Sequence, residues 1–301
     1  MGAAKFIRGL VRRFDPRLLN IIVNTGDDEQ FYGLHVSPDV DTIIYTLGGV
    51  VNRANGWGLA DESFHALDAL GRFFGKPWFN LGDRDIATHL YRTERLRAGA
   101  TITEVTAEIA RCFGVKSRIL PMSDDRVHTH VKLKGKSALP FQEYFVRGRA
   151  RGAVESIELR GIERAAPAPD VIPTIVRSHA IILAPSNPFV SLGPILQLDG
   201  VRDALCSVRD RVAAISPIVG GKPVKGPADK MMRGLGHEVS PLGVARLYRD
   251  FAGLFVLDKI DSRYLEPIRD LGLNAIATDT IMGTPARAER LATVVLNALE
   301  V

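Results

Sequence analysis

Hydrophobic and polar positions along the chain follow two different rules. In the second half, short apolar runs without alternation end in polar or glycine/proline loops. His179–Pro185 runs into Ser186-Asn187-Pro188, Arg211–Pro217 runs toward Gly220-Gly221, and Gly253–Asp258 and Leu273–Thr278 follow. Leu19–Val23, ending in Asn24-Thr25-Gly26-Asp27-Asp28, has the same form. Helical spacing fills 227–235, 241–251, 262–271 and 285–299, and the stripe Phe6, Ile7, Leu10, Val11 predicts a first helix over 3–14. Strands apolar on both faces and separated by helices require a parallel sheet covered on both sides. The predicted fold class is therefore α/β, Rossmann-like and doubly wound, with a mostly parallel sheet.

The stretch 118–160 reads differently. Val127–Lys134 and Val154–Arg160 alternate with period 2, as half-exposed antiparallel strands do. Residues 61–113 read as mostly helical. The predicted organisation is an α/β core over 1–60 and 161–301, with a helical and antiparallel-β insertion over 61–160.

Composition narrows this picture. With 301 residues, 46% hydrophobic and 24% charged, the chain can bury a large core, and disorder and coiled coil are excluded. Cys112 and Cys206 form no metal-type or redox-type pair, which excludes a disulfide scaffold and makes a reducing cytoplasm the expected compartment. No apolar run approaches the ~18 residues of a membrane span. The net charge of +5 favours anionic ligands. Basic residues alternate with acidic ones, as in Arg209-Asp210-Arg211, so phosphate esters or nucleotides are expected rather than nucleic acid.

Candidate chemistry gathers in the loops. Asp27, Asp28 and Glu29 follow the first strand, and Asp39 and Asp41 lie in Ser37-Pro38-Asp39-Val40-Asp41-Thr42. Loops at the carboxyl ends of parallel strands are where α/β ligands bind. On an extended backbone, Asp-x-Asp would place both carboxylates on one side. Such a group suits Mg²⁺, which takes one or two carboxylates plus phosphate oxygens, although aspartate also serves in turns and helix caps. In Leu81-Gly82-Asp83-Arg84-Asp85, Asp83 can cap a helix, or Arg84 can be held between two acids and aimed at a phosphate. Ser186 and Asn187 after one strand and Ser216 after the next offer groups for an oxyanion, with Lys225 nearby. Trp57, between Gly56 and Gly58, suits stacking on a ring, and His128 and His130 read as strand residues without a third metal ligand. No Walker A loop, Gly-x-Ser-x-Gly elbow or complete Gly-x-Gly-x-x-Gly is present. The residues thus describe a phosphate-handling α/β protein with a divalent metal.

At these same positions the sequence closely resembles the 2-phospho-L-lactate transferase family of deazaflavin coenzyme F-420 biosynthesis. The segments that carry the resemblance are Val23–Asp28, Ser37–Thr42, Gly56-Trp57-Gly58, Leu81–His89, Leu120–Asp125, Pro185–Pro188, Ser216-Pro217-Ile218 and Lys225–Asp229. The resemblance implies transfer of a phosphorylated three-carbon acid, namely phospholactate, phosphoenolpyruvate or 3-phosphoglycerate. The donor is its guanosine diphosphate conjugate, the acceptor is 7,8-didemethyl-8-hydroxy-5-deazariboflavin, and GMP is released. On this reading Asp27 and Asp41 hold Mg²⁺ and act catalytically, and Asp28 and Asp39 support them. Arg84, between Asp83 and Asp85, lies against deazaflavin or diphosphate, and Ser186 and Asn187 hold the guanosine nucleotide. Trp57, Asn80, Ser216 and Lys225 complete the expected binding set. A homodimer is the expected assembly. A non-catalytic nucleotide or nucleotide-sugar binder of the same superfamily is the second reading, distinguished by deazaflavin binding. Family members open with an apolar strand and a Gly-Gly-x-Gly loop, whereas Met1–Phe6 begins inside that loop. The leading strand is thus expected to be absent from this chain, with a start placed too late as the preferred explanation.

Overall fold

A computed structural model describes residues 2–301, leaving Met1 outside the described residues. Helix α1 (Gly2–Leu10) leads to strand β1 (Asn20–Val23), and a small hairpin of β2 (Glu29–Phe31) and β3 (Leu34–Val36) precedes α2 (Pro38–Leu47). Helices α3 (His65–Phe74), α4 (Asp83–Arg97) and α5 (Ile102–Cys112) come next, before β4 (Arg118–Pro121). Three antiparallel strands follow, β5 (His128–Leu133), β6 (Ala138–Pro140) and β7 (Val154–Arg160). The second half supplies β8 (Ile181–Leu183), β9 (Val212–Ile215), the pair β10 (Ile218–Val219) and β11 (Lys222–Pro223), β12 (Leu254–Asp258) and β13 (Asn274–Thr278). A last helix spans Pro285–Ala298.

The unalternated runs are parallel strands, in the order β13-β12-β9-β8. Both faces are covered, which is why every residue of β9 and β12 is buried. Ala213, Ile215, Leu254 and Val256 pack with Phe6 and Leu10 of α1 and with Leu291 and Val295 of the last helix. Val212, Ala214, Phe255 and Leu257 face the opposite layer. The alternating segments form the antiparallel sheet, β5 showing a strict half-buried, buried alternation along its length. The α/β fold expected from the pattern is therefore the observed one.

Several boundaries differ. The first helix stops at Leu10 instead of 14, and the helix expected over 262–271 is a 3-10 turn, Lys259–Tyr264, followed by Leu265–Arg269. The stretch 61–160 is not one insertion. β4 pairs in parallel with β1, Asn20 to Arg118 through Val23 to Pro121, so the helices before it form a crossover onto the core. Their apolar stripe packs there, Val105 and Ile109 of α5 meeting Val40 and Ile44 of α2 beside Val23 and Ile119.

The β1–β4 pair and the four-stranded sheet share no ladder among the described residues. Between β1 and β8 lies a cavity of about 740 Å³, lined by Ile21 and Ile22 on one side and Ile181 and Leu183 on the other. Helix α1 bridges the two halves, with Ala4 and Ile7 toward one and Phe6 and Leu10 toward the other.

Candidate functional site

The carboxyl ends of β1, β8, β9 and β13 open into one cavity of about 540 Å³, joined by the amino ends of α1 and α2. This is the position expected of a ligand site in an open parallel sheet. Asp27 follows β1, Ser186 and Asn187 follow β8, and Ser216 follows β9, so the strand-end loops singled out in the sequence converge.

The two acids of Ser37–Thr42 both line the cavity, but their carboxylates have different partners. Pro38 at the first helical position starts α2, and a helix turns roughly 200° between residues i and i+2. Asp41 turns into the protein, where Arg92 donates from Nη1 to Oδ2 at 3.1 Å and from Nη2 to Oδ1. Arg92 is fully buried, and its charge persists because the Asp41 pair outweighs the burial that opposes it. The metal role expected of Asp41 therefore meets a carboxylate whose two oxygens already bind a guanidinium. Asp39 instead accepts from Asn24 Nδ2 at 3.1 Å.

Asp27 is buried, and its Oδ1 has no hydrogen-bond donor. Burial first, and then the neighbouring Asp39 and Asp28 charges, hold its carboxyl well above the usual carboxylate range. Thr25 Oγ1 and Thr129 Oγ1 are also buried without partners. Hard oxygen donors around an unneutralised carboxylate pair fit Mg²⁺, which fills its remaining positions with water and phosphate oxygens. No group of three or more His, Cys, Asp or Glu side chains arranged for a metal occurs among the described residues; His128 and His130 lie on β5. Asp28 is outside the cavity wall. It accepts from Ser37 Oγ at 2.6 Å and contacts His35 Nε2 at 2.9 Å, which ties the β2–β3 hairpin to the start of α2.

The Leu81–His89 segment divides in the same way. A Cβ at Gly82 would displace the Glu62 carboxylate. That carboxylate accepts the backbone N–H groups of Arg84 and Asp85, each at 2.9 Å, and so caps α4. Asp83 caps the neighbouring α3, accepting from Ser63 Oγ, His65 N and Ala66 N. Arg84 is exposed and donates to the Ala60 carbonyl at 3.0 Å. Neither lines the cavity; both anchor a loop or a helix beside it. Asp85 does line it. Burial pushes its carboxyl up, but His89, Tyr45 and Arg92 together bring it below the ordinary value.

Lys5 and Lys225 also line the cavity. Burial, and then Lys5, lower the Lys225 ammonium, so the two cations share a region. Lys225 Nζ also donates to the Asn55 carbonyl at 3.3 Å, which links its loop to the loop of Trp57. Gly2 fits because a Cβ there would overlap the Pro185 carbonyl. Asn187 Oδ1 accepts from Phe189 N at 2.9 Å and Ser216 Oγ bonds to Ile218, so these two side chains shape the strand-end loops. Trp57 and Asn80 line the wall as expected, with Trp78, Phe79, Phe141 and Phe145 added by the fold. Phe79 stacks on Phe31 at 4.1 Å, which fixes that wall.

Lys5, Tyr45, His89 and Arg92 were not anticipated. Asp85, His89 and Arg92 are spaced i, i+4, i+7, a polar stripe along one face of α4 that is legible in the sequence. Lys5 carried only its place in the first turns of a helix.

Comparison with known proteins decides the family. The model of 2-phospho-L-lactate transferase CofD matches residues 1–296. The chain belongs to that family. A phosphoenolpyruvate transferase of Streptomyces griseus subsp. griseus is 42% identical over 289 residues, 94% of this chain and 90% of the relative. A 2-phospho-L-lactate transferase of Methanosarcina mazei is 35% identical over 297 residues, 99% and 97% of the two chains. A crystal structure of a UPF0052 family member from Bacillus halodurans covers 98% of this chain and 96% of its own, with a TM-score of 0.62 at 13% identity, and shares the fold. Membership thus makes this chain a relative of named transferases. No helix among the described residues is long and apolar enough to cross a membrane.

Proposed function

We propose that the protein transfers a phosphorylated three-carbon acid from its guanosine diphosphate conjugate to 7,8-didemethyl-8-hydroxy-5-deazariboflavin, with release of GMP. The observation that carries this reading is one cavity lined together by the acids Asp27 and Asp39, the cations Lys5 and Lys225, and the aromatic rings of Trp57, Trp78 and Phe79. Phosphoryl transfer requires positioning and charge neutralisation more than covalent chemistry, and that is what these groups offer. Lys5, Lys225 and the strand-end loops at Ser186 and Ser216 would take the diphosphate, and the aromatic wall would take the tricyclic ring.

Asp27 and Asp39 are the residues that would hold Mg²⁺, with Asp39 taking the part first given to Asp41; the ion would neutralise the diphosphate. In the reaction a ribityl hydroxyl oxygen bonds to the β-phosphorus while the bond from that phosphorus to the bridging oxygen breaks. The bridging oxygen leaves with GMP. The hydroxyl proton passes to Asp27 as general base. Asp41, locked to Arg92, holds the first turn of α2 so that Asp39 faces Asp27.

Incubation with deazaflavin, Mg²⁺ and each of the three guanosine diphosphate conjugates, followed by mass spectrometry, tests the reading. A phosphodiester product together with GMP is expected from one donor in preference to the others. Deazaflavin binding without product from any donor would favour a non-catalytic binder.

A further inference from the structure

Beneath the aromatic wall lies a polar chain that the transfer chemistry leaves unused. Arg92 has no acceptor atoms, so its 3.1 Å contact with His89 Nδ1 makes that nitrogen the acceptor and leaves the ring proton on Nε2. His89 is almost wholly buried, and its Nε2 lies 3.3 Å from Asp85 Oδ2 without completing a hydrogen bond elsewhere. On the other side, Tyr45 donates its hydroxyl to Asp85 Oδ1 at 2.6 Å. Asp85 thus has Tyr45 of α2 at one oxygen and His89 of α4 beside the other, and all three side chains line the cavity. Its side chain keeps 13% of its surface exposed, and it opens on the same cavity as Trp57, Trp78 and Phe79.

The charges are unequally shared. Arg92 is matched by Asp41, oxygen for nitrogen, so Asp85 has no cation of its own. A carboxylate accepts about four hydrogen bonds. One is made by Tyr45 and His89 Nε2 stands within reach of a second, which leaves acceptor capacity on a side chain that lines the cavity. Such a group takes N–H or O–H donors and repels phosphate. Lys5 and Lys225 impose the opposite preference on their wall.

We propose that Asp85 selects the acceptor substrate by accepting hydrogen bonds from an uncharged, donor-bearing ring, and that His89 is the positioning residue that aims it. The inference rests on the transfer reading above. It assigns Asp85 to sorting two substrates by charge, the flat neutral ring at the acidic aromatic wall and the diphosphate at the lysines. Gln at position 89 preserves a donor that can reach Asp85, whereas Leu removes it.

The test uses the full chain and fluorescence titration with the deazaflavin chromophore, together with KM for each substrate and the melting temperature. Asp85→Asn and His89→Leu are expected to weaken deazaflavin binding about tenfold or more, with donor KM within about twofold of wild type. His89→Gln is expected to recover most of the loss. Equal binding by wild type, D85N and H89L overturns the proposal while leaving the transfer reading intact. So does a parallel loss for both substrates that tracks melting temperature, with no recovery in H89Q. Failure of the wild-type protein to bind deazaflavin overturns both readings.

Discussion

Asp39 and Asp41 leave the first turn of α2 two residues apart and enter two different environments. Asp41 meets Arg92, which bonds to both of its carboxylate oxygens and contacts His89. Asp39 meets Asn24 and the neighbouring carboxylate of Asp27, whose Oδ1 has no donor. The first environment is built for holding and the second for binding. A buried charge with its partner present is rigid, whereas a buried carboxylate pair without a cation raises its own proton affinity and favours an arriving one. Acid residues near a ligand cavity therefore need to be sorted by what already satisfies them.

The largest effect that separates the two regions is expected from Arg92→Leu. It leaves Asp41 buried and unpaired, at a cost of about 3–5 kcal/mol, read as a much lower denaturation midpoint. A loss no greater than that of a surface substitution would erase the distinction. Asp27→Asn should do the reverse, lowering turnover by roughly a hundredfold or more while the protein melts no lower than wild type. The pH dependence follows with a definite sign. Because the folded carboxyl of Asp27 lies above its unfolded value of about 3.9, its contribution to stability is full below that value. It is lost as pH rises through the raised value. The stability of D27N relative to wild type should therefore grow with pH in denaturant titrations without metal, and a constant difference would contradict the assignment.

Asp39→Asn is expected to raise the Mg²⁺ concentration for half-maximal turnover roughly tenfold, measured by metal titration. Asp41→Asn should instead act mainly on the melting temperature. Asp83→Ala should cost only about 1 kcal/mol as a lost cap of α3, with kinetic constants for both substrates nearly unchanged. A large rise in either KM would return Asp83 to the binding surface.

Much of the fold was legible because strand burial leaves a direct trace in residue type. Residues 254–257, apolar throughout, could only be a strand covered on both faces, and His128–Leu133, alternating, could only be half covered. The candidate loops were legible for a related reason, since ligand sites in this fold class follow the carboxyl ends of such strands. Arg84 was misread because flanking acids suggest a held cation, whereas Glu62, 22 residues earlier, takes the backbone N–H of Arg84 and Asp83 turns to another helix. The pairing of β4 with β1 was missed because one short strand within a helical and antiparallel stretch has no periodic signature of its own.

Sequence alone determined the α/β class, the convergence of Asp27, Ser186 and Ser216 at strand ends, and the segments that place the chain in its family. Those follow from local pattern, in which each residue's preference is set by the neighbours within a few positions. Only the tertiary structure decided which carboxylates are satisfied. The partner of Asp41 lies 51 residues away, and a helical turn rather than an extended step separates it from Asp39. Charge state and availability depend on what is packed nearby in space, and that is settled only when α2 and α4 meet.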